Sequence, residues 1–333
     1  MYNLACFSKN AESKKPMPYK FNASRQDKIT KAKYKVTNWS EYNDALRKRG
    51  DFTLYFTEEA IAGWRPERTG KRGRPQAYSD VAIEAALLIR QVFHLPLRQT
   101  EGLMTALARV MQVDIAIPDF SSISRRSVEL PRHLVRKAMM PGSVVIVDSS
   151  GLKVYGKDEW HQEKHAVAAR RTWRKLHLAV DEKHQIVACE LTTPEVGDPT
   201  AVADLLDQIK TPFETFMGDG AYDGDPVSQA VLGHQPNAKV VVPPPKTAVV
   251  SATGDTQRDG HIQTIANLGR MAWQKITGYS LRNYVELAVQ RYKRIFGNAM
   301  KARALPQQKA EAGISACALN IMTHLGMPRS VKI

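Results

Sequence analysis

Three acidic residues lie in sequence contexts that favour a chemical role. Asp148 follows the apolar run 144–147, Asp219 follows the strand-like segment FETFMG, and Glu286 lies in a helical pattern. An apolar strand that runs into a carboxylate is unfavourable, because an unpaired buried charge costs several kcal/mol. Convergent carboxylates also repel one another, and a bound divalent cation relieves that repulsion. Oxygen ligands without thiol or histidine spacing favour Mg²⁺, with Mn²⁺ as a substitute.

Two such cations activate a water or hydroxyl and stabilise the leaving oxygen in an in-line attack on a phosphodiester. The composition agrees with a nucleic-acid substrate: 48 Lys and Arg against 33 Asp and Glu give a net charge of +15. Release of counterions from phosphates drives the binding of basic proteins to nucleic acid. A basic protein without such a partner is the alternative.

Taken singly, each acid has an ordinary structural alternative. Asp148 precedes the sequence SSG and suits a turn cap, and Asp219 with Gly220 is a turn signal. Glu286 lies four residues after Arg282, and such pairs occur on many solvated helices. The conjunction of the three acids is the more specific signal.

The elements around these acids predict a mixed α/β fold. A meander of three strands is followed by alternating helices and strands, at segments 143–156, 172–181, 185–193, 198–209, 213–220, 225–233 and 238–245. This order predicts a mixed sheet flanked by helices, with Asp148 and Asp219 at the ends of neighbouring strands. The stretch 246–276 is less regular and precedes the helix of Glu286.

The helical segment 278–297 has a polar side and an apolar side. Its polar side, an arc of roughly 60°, holds Tyr279, Arg282, Glu286 and Lys293. The opposite stripe is Leu281, Val285, Ala288, Tyr292, Ile295 and Phe296. The stripe predicts packing against a core, which leaves the polar side to face solvent or a cleft.

Residues 76–140 are predicted to form a DNA-binding domain of three amphipathic helices. Ser79 or Asp80 caps the first helix, and the third carries Arg125 and Arg126 near its start. Short connections fit a helix-turn-helix, in which these arginines face the duplex. A plain helical bundle with a basic surface is the alternative.

The first 75 residues are predicted to form a basic arm, since about half of the excess positive charge lies before residue 80. The sequence GKRGRPQ places Arg72 and Arg74 in an extended segment that fits a narrow minor groove. A solvated basic linker explains both residues equally well. A catalytic domain at 141–300, with an insertion at about 246–278, and a helical tail at 301–333 complete the predicted organisation.

The chain has three widely spaced cysteines, which match no zinc or disulfide pattern and favour a reducing compartment. Its apolar runs are too short to span a bilayer. The N-terminal sequence MYNLACFSKNAESKK lacks the apolar core of a signal peptide. These features together predict a cytoplasmic protein.

Three motifs resemble those of a known enzyme family. They are VIVDSSGLKVYG around Asp148, GDGAYD around Asp219, and the Y-two-R-three-E-six-K spacing that contains Glu286. They resemble DDE transposases of bacterial insertion sequences, specifically the insertion-sequence-five group. The intervals of 71 residues between the two aspartates and 67 residues to Glu286 are similar to those of that group. The resemblance covers about residues 140–300.

The resemblance implies an RNase H-like core in which Asp148, Asp219 and Glu286 bind two Mg²⁺. It implies a nucleoid-associated bacterial enzyme that nicks the terminal inverted repeats of its element and joins the 3′-OH ends to target DNA. Two DNA ends must be paired before joining, which predicts a homodimer or higher homo-oligomer on double-stranded DNA. The remaining signature residues are implied to hold phosphates beside the scissile bond: Tyr279, Arg282 and Lys293.

Further candidate DNA contacts lie outside the signature. Lys175 and His177 share a strand face with Trp173; a packed tryptophan with solvated neighbours is the alternative. Trp273 precedes the catalytic helix, in the insertion where related transposases stack an aromatic ring on an extruded base. Two other functions stay open: an RNase H-like nuclease without strand transfer, and a catalytically inactive, transposase-derived DNA-binding protein.

Overall fold

The computed structural model describes residues 33–66, 76–130, 143–154 and 173–333. Arg72 and Arg74 lie outside these residues. The chain divides into two compact units, residues 44–327 and residues 1–43 with 328–333. In the described part of the smaller unit, strand β1 (Tyr34–Val36) pairs antiparallel with a C-terminal strand, Ser330–Lys332.

Five helices precede the central sheet in the described part of the chain: α1 (Trp39–Lys48), α2 (Glu58–Ala62), α3 (Asp80–Val92), α4 (Leu97–Val110) and α5 (Phe120–Arg126). The predicted cap of α3 is Ser79, whose Oγ accepts a hydrogen bond from the backbone N–H of Ala82 at 3.2 Å. Asp119 caps α5 by accepting from the backbone N–H groups of Ser121 and Ser122. These bonds satisfy donors that the first helical turn leaves free.

A mixed sheet lies at the centre of the larger unit. Its strands are β2 (Val144–Val154), β3 (Trp173–Val180), β4 (Ile186–Thr192), β5 (Thr215–Met217), β6 (Lys239–Val241) and β7 (Ala299–Met300). The order is β4-β3-β2-β5-β6, and β7 pairs with the end of β2. Strands β2 to β4 form an antiparallel meander, whereas β5 and β6 run parallel to β2. The predicted RNase H-like mixed sheet is confirmed.

Helices cover both faces of this sheet. They are α6 (Ala201–Leu206), α7 (Asp225–His234), α8 (Gln257–Leu268), α9 (Arg270–Thr277), α10 (Asn283–Phe296) and α11 (Leu305–Leu325). Along β2, Ile146 belongs to the cluster with α10 and α11, while Val145 and Val147 belong to the cluster with α6 and α7. Burial on both faces explains the unbroken apolar run before Asp148.

The helices before the sheet share its core. Ile83 of α3, Met104 of α4 and Ile123 of α5 are fully buried in the same cluster as Leu176 of β3. The larger compact unit therefore does not divide near residue 140, where the helical domain was predicted to end. The reason is that the apolar faces of these helices are buried in the same core as the sheet, and DNA binding by this region stays a prediction.

Part of the predicted basic arm, residues 1–75, is also packed in the core of the larger unit. Tyr55, Phe56 and Trp64 are at most 2% exposed and lie in the main core cluster. Residues 44–66 are therefore part of the larger unit, because their aromatic side chains need a core to bury them. The positive charge of this segment gave no sign of that packing.

Two further elements differ from the sequence prediction. Asp148 lies inside β2, which continues to Val154 because β3 and β7 pair with its second half. The stretch predicted as less regular contains helices α8 and α9. Helix α8 begins with a capping box in which the side chains of Thr256 and Asp259 accept each other's backbone N–H bonds.

The predicted C-terminal helical tail is a core element. Helix α11 packs against α3 and β4, and its residues Ala316, Ala318 and Leu319 are at most 1% exposed. Although α11 has 21 residues, none of the described helices combines the length and apolar character that a bilayer crossing needs.

Candidate active site

Strand register brings Asp148 close to Asp219. In the parallel pair of β2 and β5, Val144 lies opposite Thr215 and Ile146 lies opposite Met217. Asp148 and Asp219 each come two residues after the last of these pairs. The two carboxylates therefore leave adjacent strands at the same level of the sheet.

Asp219 begins a short 3₁₀ turn, Gly220–Tyr222, and its Oδ1 accepts a hydrogen bond from the N–H of Ala221 at 2.8 Å. Tyr222 is buried under the turn. A Cβ at Gly218 would lie only 3.0–3.1 Å from three carbon atoms of Tyr222, so a larger residue there would force the Tyr222 side chain to shift. The turn is thus packed closely against the strand that leads into it.

Glu286 comes from α10, which follows a 3₁₀ turn at Tyr279–Arg282. The predicted apolar stripe is confirmed: Val285, Ala288, Tyr292 and Phe296 are buried, and Leu281 and Ile295 pack against the same core. The Tyr279 hydroxyl donates to the carbonyl of Gly218 at 3.2 Å. Burial raises the pKa of Tyr279 to about 12, so the hydroxyl keeps its proton.

One guanidinium joins all three acids. Arg282 Nη2 lies 3.6 Å from Asp148 Oδ2 and 3.5 Å from Asp219 Oδ2, and Arg282 Nη1 contacts Glu286 Oε1. The Arg282 side chain is 19% exposed. Three acids from β2, the loop after β5 and α10 thus converge on one positive charge.

Burial raises the pKa of Asp148, and the charges of Asp219 and Glu286 raise it further. Arg282 and the backbone N–H of Ser149 act in the opposite direction, because they favour the ionised form. A nearby positive charge therefore favours the ionised form of Asp148.

The donor set fits a divalent cation, since it consists of three carboxylates without a thiol or an imidazole. Across the described ranges, no three or more His, Cys, Asp or Glu side chains are grouped as metal ligands. In this structure each of the three carboxylates contacts the Arg282 guanidinium instead.

Two sequence-family models, both described as a transposase DDE domain, match residues 47–157 and 140–321. The second match alone covers more than half of the chain. The chain belongs to the DDE transposase family. The matches do not separate the insertion-sequence-five group from other groups, and that assignment is compatible with them.

Two solved structures are similar to the transposase, each at 10% identity. One is the cryo-EM structure of a piggyBac transposase synaptic complex with hairpin DNA, with 88% of this chain and 78% of that chain covered and a TM-score of 0.33. The other is the Drosophila P element transposase strand transfer complex, with 86% and 87% covered and a TM-score of 0.29. Scores this low carry no argument about this chain.

Lys293, seven residues after Glu286 on α10, is half-buried. Within the described part of the transposase, its ammonium forms no ion pair or hydrogen bond. A lysine ammonium without an internal acceptor is suited to an external anion.

The predicted DNA contacts on β3 have internal partners. Lys175 Nζ donates to the Val196 carbonyl at 2.9 Å and to Asp198 Oδ1 at 3.2 Å. His177 is fully buried, with its Nε2 2.8 Å from Thr192 Oγ1. The prediction that His177 touches DNA does not fit this burial, because β3 is covered on both faces at that position.

His177 instead predicts a pH dependence of stability. Burial lowers the pKa of His177 below its ordinary value of 6.5. Below pH 6.5 the unfolded chain binds a proton that the folded protein resists, so stability falls as the pH drops toward the folded pKa. Replacing His177 by Gln should flatten this dependence in urea denaturation between pH 7.5 and pH 5. A slope equal to that of the wild type would contradict the assignment.

The two arginines of α5 have different surroundings. Arg125 is exposed, with a long contact of 3.4 Å to Ser122 Oγ. Arg126 is 8% exposed, donates to the Tyr78 carbonyl at 3.0 Å and forms an ion pair with Asp80. Arg126 therefore fastens α5 to the start of α3, and its predicted DNA contact does not fit that position; Arg125 stays a prediction.

Trp273 was expected to be available for base stacking. It is fully buried, and its indole Nε1 donates to His261 Nδ1 at 3.0 Å. The insertion packs this ring against the core instead. Sequence reasoning also missed an ion pair between Asp223 and Arg258, because 35 residues separate the partners and no local motif links them.

Proposed function

We propose that this transposase cleaves the terminal inverted repeats of its insertion sequence and joins the freed 3′-OH ends to target DNA. Asp148, Asp219 and Glu286 would hold two Mg²⁺, for which Mn²⁺ would substitute. The observation that supports this proposal is the convergence of the three carboxylates on Arg282. When bound, the cations supply Lewis-acid activation of the attacking oxygen and stabilisation of the leaving oxygen.

The transposase's own residues contribute fixed positions for the acids. Asp148 lies in β2, which is paired on both sides, and Asp219 is held by its 3₁₀ turn. Glu286 is 50% exposed, although the opposite side of its helix is buried. Placement on packed elements pre-organises the ligands, and such pre-organisation is a large part of catalysis.

Arg282, Tyr279 and Lys293 would hold DNA phosphates beside the scissile bond. A guanidinium offers a bidentate fork to a phosphate, and an ammonium offers a point charge. The Tyr279 hydroxyl donates to the Gly218 carbonyl in this structure, so it would have to exchange that acceptor for a phosphate oxygen. The net charge of +15 supports double-stranded DNA as the partner, and pairing of two ends would require a homodimer or a higher homo-oligomer.

One experiment separates this proposal from its alternatives. The purified protein is incubated with Mg²⁺, a duplex that carries the element's terminal repeat, and a target plasmid. The proposal expects joined products. Cleaved ends without joining would indicate a nuclease, and a mobility shift without cleavage would indicate an inactive DNA-binding protein. The presence of all three acids argues against the last outcome.

Lys293→Ala should weaken the binding of end DNA and lower the slope of log K against log salt by about 1. The reason is that one phosphate contact with its counterion release is lost. Binding is measured by fluorescence anisotropy from 50 to 200 mM salt. Arg294→Ala, at the next and exposed position of α10, is the control. Equal effects of the two substitutions would remove the case for a specific Lys293 contact.

A further inference from the structure

Resting on the proposed function, we propose that Arg258 of the insertion is a positioning residue for the catalytic acid Asp219. It acts through Asp223, at the other end of the Asp219 turn. The insertion would thereby set the affinity of the metal site without contributing a ligand to it.

Asp223 and Arg258 form a bidentate ion pair. Arg258 Nε lies 2.8 Å from Asp223 Oδ1, and Arg258 Nη2 lies 2.8 Å from Asp223 Oδ2. The Asp223 side chain is 7% exposed and the Arg258 side chain 29%. A bidentate pair with little exposed carboxylate fixes both partners in orientation as well as distance.

Asp219 and Asp223 are the two ends of one turn. Asp219 is the N-cap of the 3₁₀ turn Gly220–Tyr222, and Asp223 is its C-cap, with its N–H donating to the Gly220 carbonyl at 3.3 Å. The N–H of Tyr222 donates to the Asp219 carbonyl at 3.1 Å. A turn this short transmits a displacement of one end to the other, so the anchor on Asp223 also restrains Asp219.

Packing alone does not hold the outer side of this turn. A cavity of about 250 Å³ lies there, lined by Tyr222, Asp223, Arg258 and His261 among others. Space beside the Asp223 end of the turn permits that end to shift when the ion pair is broken. The ion pair therefore adds a restraint to the one that the buried Tyr222 provides.

Helix α8 is held on the sheet independently of Arg258. The Gln257 side chain accepts from the Val240 N–H at 2.8 Å and donates to the Ala238 carbonyl at 3.0 Å. His261 Nε2 donates to the Val240 carbonyl at 2.8 Å, and its Nδ1 accepts from Trp273. These bonds satisfy backbone groups of β6 at the sheet edge. Substitution of Arg258 should therefore break the ion pair and leave α8 in place.

The test measures metal affinity directly, with the full chain and without DNA. Mn²⁺ is titrated calorimetrically into wild type, Arg258→Ala, Arg258→Lys and Asp223→Asn. Arg258→Ala should weaken Mn²⁺ binding about tenfold, as loss of a residue that orients a ligand does. Arg258→Lys should fall between wild type and Arg258→Ala, because it keeps the charge and loses the fork. A combined Asp223→Asn and Arg258→Ala variant should bind no more weakly than Asp223→Asn alone.

Urea denaturation identifies any variant that fails to fold, and Arg258→Lys then replaces Arg258→Ala in the comparison. Arg294→Ala is the matched control and should bind Mn²⁺ like wild type. Folded Arg258 variants with affinity within twofold of wild type would overturn the inference. Failure of the proposed function is distinct: wild type itself would then bind Mn²⁺ no better than Asp148→Asn in the same titration.

Discussion

Asp148→Asn should lower the rate of DNA cleavage on the order of 10³-fold, with binding of end DNA retained within about twofold. The amide keeps the size of the side chain and removes the charge that a divalent cation requires. The residues proposed to bind phosphate are unaltered by the change: Tyr279, Arg282 and Lys293. Single-turnover cleavage in Mg²⁺ measures the rate, and a mobility-shift titration in EDTA measures binding.

Asp181→Asn is a matched control for that prediction. Asp181 is a buried aspartate whose pKa, like that of Asp148, is raised by burial, but its Oδ1 accepts from the N–H groups of Lys183 and Gln185 in the β3–β4 turn. Its replacement should leave cleavage by the folded protein near the wild-type rate. If Asp148→Asn abolished binding as completely as cleavage, the assigned role of Asp148 would be lost.

Arg282→Ala is expected to destabilise the metal-free transposase by about 2 kcal/mol, the usual loss for hydrogen bonds to charged groups. Three carboxylates would then lose the positive charge that they share. Divalent cations should stabilise the variant more than wild type, because binding no longer displaces the guanidinium from its contacts. Cleavage should still fall on the order of 10²-fold, because the variant also lacks the positive charge that Arg282 would offer to the DNA phosphates.

Urea denaturation in EDTA measures the loss of stability, and urea denaturation across a Mg²⁺ series measures the stabilisation by the cation. Arg282→Lys should lie between wild type and the alanine variant in EDTA, because a lysine keeps one charge but not the fork. Arg294→Ala, exposed on the same helix, controls for the loss of a positive charge alone. A variant as stable as wild type in EDTA, with an unaltered response to Mg²⁺, would show that Arg282 does not serve as the counter-charge of the three acids.

The strands were predictable because the sheet is buried on both faces, and strands buried on both faces are continuous apolar runs in the sequence. The run before Asp148 and the segment before Asp219 predicted neighbouring strands, and the structure pairs β2 with β5 in parallel. The polar side of α10 followed from helical periodicity. Family motifs then identified the three candidate acids, each within a short segment of sequence.

Side-chain environments were not predictable in the same way. His177, Arg126 and Trp273 had the residue types of DNA contacts, yet all three are buried with internal partners. The type of a residue indicates which groups its side chain can bind, but not which of those groups lies close to it in the folded protein. Only the packing of distant elements decides that.

The amino-acid sequence by itself determined the family, the mixed sheet and the three acids, because periodicity and motif spacing are properties of short segments. The tertiary structure decided that Arg282 lies among those acids and that Arg258 anchors the turn of Asp219. Apart from the local pair of Arg282 and Glu286, both arrangements join residues far apart in the chain. Their distances depend on how the sheet and its helices pack, and no local pattern encodes them.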